Sequence, residues 1–225
     1  MPAESALRDG EPAGFELIET LRWEPGFGFV RLERHLRRLY ASAAELGFAF
    51  EAEKVGKSLS TALNGAAGPM RVRLALSQGG DASTSAHPFE PVSAGKVWRV
   101  QIARTRLSST DVLLRHKTTR RQIYTQARAE HLIHQADEVL MANERGEICE
   151  GTIANVFADF GDGVLLTPRL DCGLLPGVLR AELLDQGKAR EAVLTLEQLR
   201  AAKALFVGNS LRGLIPAQLA FAPVD

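Results

Sequence analysis

The sequence is poor in the features that mark several protein classes. Two cysteines in 225 residues, Cys149 and Cys172, are too few for a disulfide framework and read as reduced thiols of a cytoplasmic protein. Aromatic residues make up 6%, leaving no aromatic interleaving of the kind that stacks nucleic-acid bases. Neither sign of charge is in excess. The 27 Lys+Arg balance 27 Asp+Glu, which argues against a dedicated nucleic-acid or membrane-surface binder. No apolar run approaches the roughly 18 residues of a membrane span. The opening MPAESALRDGEPAGF carries Asp9 and two prolines and lacks the hydrophobic centre of a signal peptide. No metal site is read. What remains is globular, with 45% hydrophobic and 24% charged residues, and long enough for one large domain or two small ones.

Along the chain, strands and helices alternate. Residues 1–13 read as a loose lead-in, FELIETLRW (15–23) as a strand, and EPGFG (24–28) as its turn. LERHLRRLYASAAELGF (32–48) predicts a helix, because Leu32, Leu36, Leu39, Ala43 and Leu46 share one stripe and Gly47 sits at the C-terminal cap. A second helix is expected over 51–64 and an alternating strand over 70–77. SQGGDASTSAHPFEP (77–91) reads as a loop and VWRVQIA (97–103) as a strand. The segment 104–112 is the expected connection between two lobes, 1–106 and 107–225. Beyond it, helices are expected at 119–134, 175–187 and 195–202, and strands at 138–143, 152–159, 163–167 and 204–209. The expected class is α+β or α/β in two lobes.

The neutral total is unevenly distributed. Arg31, Arg34, Arg37 and Arg38 crowd the first helix; Arg99, Arg104, Arg106, Arg115, Lys117, Arg120 and Arg121 crowd 99–121. Such clusters are most simply solvated faces, but the guanidinium fork also suits phosphate or carboxylate, and nucleic-acid binding is a third reading.

Four segments carry potential chemistry. In RHKTTRRQIY (115–124), Lys117 sits among arginines and hydroxyls, with Tyr124 beyond; neighbouring cations favour the free amine that Schiff-base chemistry needs. A surface lysine looks the same. In EICEGTIANVF (147–157), Glu150 leads into a Gly-Thr turn, where its carboxylate suits either contact with a ligand or solvent. LLPGVLR (174–180) opens a helix whose Val178 and Leu179 amides suit a phosphate, or simply starts a helix. VGNSLRGLIPA (207–217) offers Ser210 in a polar turn.

Taken in order, these segments resemble the class IV aminotransferase family, the fold-type IV pyridoxal-phosphate enzymes. The resemblance runs from about Phe15 to Pro216 and rests chiefly on HKTTRRQIY and EGTIANVF, with ERHLRRLYASA in support. Within the family, FELIETLRW, LERHLRRL and GNSLRGL look most like 4-amino-4-deoxychorismate lyases.

The resemblance implies a two-lobed fold with a smaller N-terminal lobe, and pyridoxal 5'-phosphate as cofactor. Lys117 would carry the cofactor and shuttle protons, and Glu150 would pair with its ring nitrogen. Tyr124 would bond its phenolic oxygen. Arg38, the Val178 and Leu179 amides and Ser210 would hold its phosphate. A substrate with two carboxylates would meet Arg120 and Arg212, with Arg71, Arg73 and Arg104 as further candidates. The implied reaction releases pyruvate and p-aminobenzoate for folate synthesis; the alternative is an aminotransferase acting on D- or branched-chain amino acids, and a non-enzymatic anion or nucleic-acid binder stands apart from both. The resemblance further implies a homodimer, while the charge balance, the cysteine use and the opening segment lead us to expect a cytoplasmic protein with neither nucleic acid nor membrane as partner. Compared with the family, the chain starts late, at FELIETLRW, without the strands that contribute to the substrate side. His116-Lys117-Thr118-Thr119 lacks the Gly-rich sequence that follows the lysine in branched-chain aminotransferases, which favours the lyase.

Overall fold

The computed structural model describes residues 14–132 and 134–220; the lead-in read at 1–13 lies outside them. The first sheet joins β1 (Leu17–Glu24), β2 (Gly28–Phe29), β3 (Met70–Leu76) and β4 (Ala82–Pro88) in the antiparallel order β2-β1-β3-β4. Helices α1 (Leu32–Leu46) and α2 (Ala52–Thr61) cover one face of it. The two-residue period of the strands puts Leu17, Leu21, Val72, Leu74 and Leu76 on that face, where they meet Leu39, Ala43, Val55 and Leu59. Each leucine buried this way contributes about 2 kcal/mol. Gly47 ends α1 at φ 71°, a left-handed conformation that a glycine adopts without steric cost.

The second sheet has eight strands: β5 (Trp98–Leu107), β6 (Glu138–Asn143), β7 (Ile148–Gly151), β8 (Asn155–Asp159), β9 (Leu165–Pro168), β10 (Ala189–Ala192), β11 (Ala204–Asn209) and β12 (Gly213–Leu219). Their order is β10-β9-β8-β11-β12-β5-β6-β7, with β10–β9, β12–β5 and β5–β6 parallel. The sheet curls until β7 touches β8, enclosing Val100, Leu140, Ile148, Val156, Val207 and Ile215. Helices α3 (Gln122–Ala129), α4 (Val178–Asp185) and α5 (Leu196–Ala201) complete this lobe. A capping box between Thr195 and Gln198 starts α5.

The α+β, two-lobed architecture is the expected one, with local corrections. The segment 77–91 is not all loop: residues 82–88 form β4, whose backbone pairs with β3 along its whole length. The chain leaves the first sheet after Pro88 and enters the second at Trp98; β5 runs on through Leu107, past a register shift between Ile102 and Arg106, because its pairing with β6 resumes beyond it. The helix expected over 119–134 is the shorter α3. Strands β10 and β12 were not expected. Cys149 and Cys172 are free and buried. Among the described residues no helix is long and apolar enough to cross a membrane.

Candidate active site

A cavity of about 1500 Å³ lies where the two lobes meet. Lys117 reaches it from the segment ahead of α3, which β1 holds in place: Ile18 N–H donates to Lys117 O at 2.8 Å and Thr119 N–H to Glu16 O at 2.9 Å. Burial pushes the Lys117 amine down to about 8; Arg38 and Arg121 push the same way, while Glu19 and Glu150 oppose them. Among the described residues its ammonium has no hydrogen-bond or ion-pair partner.

Glu150 enters the same cavity from β7. Burial raises its carboxyl to about 7, although the Tyr124 hydroxyl, the Leu175 N–H, Lys117 and Arg121 all favour the anion. Tyr124 Oη donates to Glu150 Oε1 at 2.7 Å, so the structure joins two residues assigned to different parts of a ligand. Arg121 stacks over the Tyr124 ring, 4.6 Å from its centroid, and donates to Thr152 O. The 151–153 turn is held by the buried Glu138 carboxylate, which accepts from Val139 N, Thr152 N, Thr152 Oγ1 and Ile153 N.

The other end of the cavity is built by α1, α4 and the 209–212 turn. The first amides of α4, those of Val178 and Leu179, have no intrahelical partner. The Val178 side chain lines the cavity, whereas that of Leu179 packs with Phe157 and Leu183. Gly177 precedes them; a Cβ there would meet Asn155 Oδ1 at 1.8 Å, so glycine lets the chain pass close to Asn155. Arg38 donates from Nε and Nη2 to the two Glu19 oxygens at 2.8 and 2.6 Å, and from Nη1 to Pro176 O at 3.1 Å. His35 joins Glu19 Oε2 through Nδ1 and Ser210 Oγ through Nε2, both at 2.7 Å.

Arg120 and Arg212 also line the cavity. Arg120 lies over the Phe15 ring. Arg212 lies over Trp98, its own N–H held by Asn209 Oδ1. Burial and the neighbouring Arg71 lower the Arg212 pKa. Arg71 lines the cavity, while Arg73 and Arg104 do not.

The cavity therefore brings together Lys117, Glu150, Tyr124, Arg38, Val178, Ser210, Arg120 and Arg212. Three residues were missed from sequence: Glu19, His35 and Glu138. One signal was there to read. Glu19 falls between Leu17 and Leu21 on the apolar face of β1, and a carboxylate in a core position needs a buried partner.

The model of the amino-transferase class IV family matches residues 16–220. A Schizosaccharomyces pombe protein named "Putative aminodeoxychorismate lyase" is 29% identical over 198 residues, 85% of each chain. A solved structure from Mesorhizobium loti, named a "Putative amino-acid aminotransferase", is 68% identical with a TM-score of 0.91, covering 92% of this chain and all of its own. The 4-amino-4-deoxychorismate lyase of Pseudomonas aeruginosa is 26% identical with a TM-score of 0.77, covering 93% of this chain and 86% of its own. The two lobes have the fold-type IV arrangement of these relatives. The chain belongs to the class IV aminotransferase family and is an enzyme of that family.

Proposed function

We propose that the protein is a cytoplasmic, homodimeric, pyridoxal-phosphate-dependent 4-amino-4-deoxychorismate lyase that releases pyruvate and p-aminobenzoate. The observation that carries this reading is one cavity holding a half-buried lysine of depressed pKa, a buried glutamate, and the arginines Arg71, Arg120 and Arg212. The residues fit the cofactor. Lys117 presents an ammonium without a polar partner among the described residues, Glu150 a carboxylate for a ring nitrogen, and the α4 amides with Ser210 donors for a phosphate. When bound, the cofactor supplies an electron sink for a carbanion beside the substrate nitrogen.

The chain's own residues supply the rest. With a pKa near 8, about one in ten Lys117 side chains is a free amine at pH 7, against fewer than about one in a thousand for an ordinary lysine. Lys117 takes the proton from the substrate carbon that bears nitrogen. The C–O bond to the enolpyruvyl group then breaks with its electron pair leaving on oxygen, the ring becomes aromatic, and protonation of the departing enolate at its methylene carbon gives pyruvate. Glu150, whose carboxyl burial raises to about 7, would pair with the ring nitrogen of the cofactor. The arginines hold the substrate carboxylates.

A second reading, an aminotransferase, is favoured by the name of the Mesorhizobium loti relative. The discriminating assay measures pyruvate from 4-amino-4-deoxychorismate with no keto acid added. Release supports the lyase. Amino-group exchange between amino and keto acids, with no pyruvate from that substrate, overturns it. Lys117→Ala is expected to lower turnover more than about a hundredfold.

A further inference from the structure

Behind Ser210 in the cavity wall runs a buried chain of hydrogen bonds, Arg38–Glu19–His35–Ser210, that begins on β1 and α1 of the small lobe and ends in the 209–212 turn of the large one. Glu19 is held as an anion well below the usual carboxylate range by Arg38 and His35, against the effect of burial, and so can only accept. His35 Nδ1 must therefore donate to it.

The second ring nitrogen, Nε2, then decides where the Ser210 proton points. If Nε2 is bare, it accepts from Ser210, whose lone pairs are left facing the cavity. If Nε2 carries a proton, it donates to Ser210 Oγ and frees the hydroxyl to donate elsewhere. A phosphate dianion offers acceptors only, so the first state sets lone pairs against it and the second gives it a hydrogen bond.

We propose that Glu19 and His35 are positioning residues for the phosphate-binding hydroxyl, and that binding of the cofactor phosphate at Ser210 is coupled to uptake of one solvent proton by His35. This inference rests on the cofactor reading above. The groups facing His35 fit the coupling. Glu19 from β1 supplies the counter-charge, and Arg38 on the same helix shares it. From the large lobe comes Ser210, whose carbonyl accepts from Arg31 Nη1 at 3.2 Å; Arg31 in turn pairs with Glu182 of α4. Lys117 lies beyond, within the field of Arg38 and Glu19.

The test is calorimetric titration of the cofactor-free protein with pyridoxal 5'-phosphate, in buffers of different ionisation enthalpy and from about pH 7 to about pH 9, where a free phosphate monoester is mostly dianionic. The wild type is compared with His35→Gln, which keeps a donor and an acceptor but cannot titrate, and with Ser210→Ala, which keeps His35 but removes the hydroxyl. Proton exchange at Lys117 and Glu150 is common to all three and cancels. The wild type is expected to take up about one proton more than either variant, and its affinity to fall up to about tenfold more per pH unit. Ser210→Ala should also bind about tenfold to a hundredfold more weakly at neutral pH. Binding with equal proton uptake in all three overturns the inference and leaves the cofactor reading standing. No binding of pyridoxal phosphate to the wild type overturns both.

Discussion

Glu19 is a carboxylate on the apolar face of a strand, with Arg38 on both of its oxygens and His35 on one of them. Its folded pKa of about 2 lies below the ordinary 4.5, so the stability it contributes is present above pH 4.5 and is lost as the pH falls toward 2. Glu19→Gln should flatten that part of the acid limb in denaturant unfolding. At neutral pH it should cost about 3–5 kcal/mol, because Arg38 is left buried without its charge partner. Glu150 works in the other direction. Its carboxyl is raised to about 7, so it opposes folding increasingly as pH rises from 4.5 to 7. The candidate chemistry at the site is thus held at a cost in stability. Lys117 and Glu150 were singled out by the resemblance carried by HKTTRRQIY and EGTIANVF, since a lysine among arginines and a glutamate before Gly-Thr suit solvated side chains equally well. His35 was not, since it sits in a basic helical run and its partners lie 16 and 175 residues away.

At the scale of elements, what could be read from sequence followed how far an element's own pattern decides its conformation. Helix α1 has a complete apolar stripe and a left-handed glycine stop, and both its ends were legible. Strand β4, ASTSAHP, has no large apolar alternation; it is a strand because β3 offers it a full ladder, which no local pattern reveals. Strand β12 was hidden by Pro216, which lies just before Ala217, where pairing with β5 begins. The Pro-Gly start of α4 was visible, but not the reason for the glycine. Gly177 has an ordinary φ of −64°, so space and not backbone conformation requires it. Gly177→Ala should drive Asn155 from its bond to Leu175 O and cost about 1–3 kcal/mol, measured as a lower denaturant midpoint.

For the whole molecule, the balanced charge resolves into fastenings between lobes. The arginines of the α1 region, readable from sequence as an anion pocket or a solvated face, reach across: Arg31 pairs with Glu182 and Arg34 with Asp185 on α4, while Arg38 bonds Pro176 O. The exposed Arg34 pair contributes no more than about 1 kcal/mol, whereas the partly buried Arg31 also holds the Ser210 carbonyl. Val112 and Ile153 stand exposed on the cavity rim, 55% and 47% accessible, as side chains awaiting a cover would. The homodimer reading therefore predicts a mass in solution, by light scattering, of about twice the 24.4 kDa chain. A monomer at all concentrations would remove it.

One detail of β1 reaches beyond its own sheet. Ile18 ties down the Lys117 backbone, and the next residue, Glu19, turns to the opposite face to hold Arg38 and His35. Two neighbouring peptide units thus serve as a ruler between the proton-handling and anion-handling ends of the cavity. Such a ruler measures in whole residues and allows no change of length. One residue inserted or deleted there would turn Glu19 away from the helix and carry Lys117 out of reach, so the length of β1 is as binding a constraint as its buried side chains.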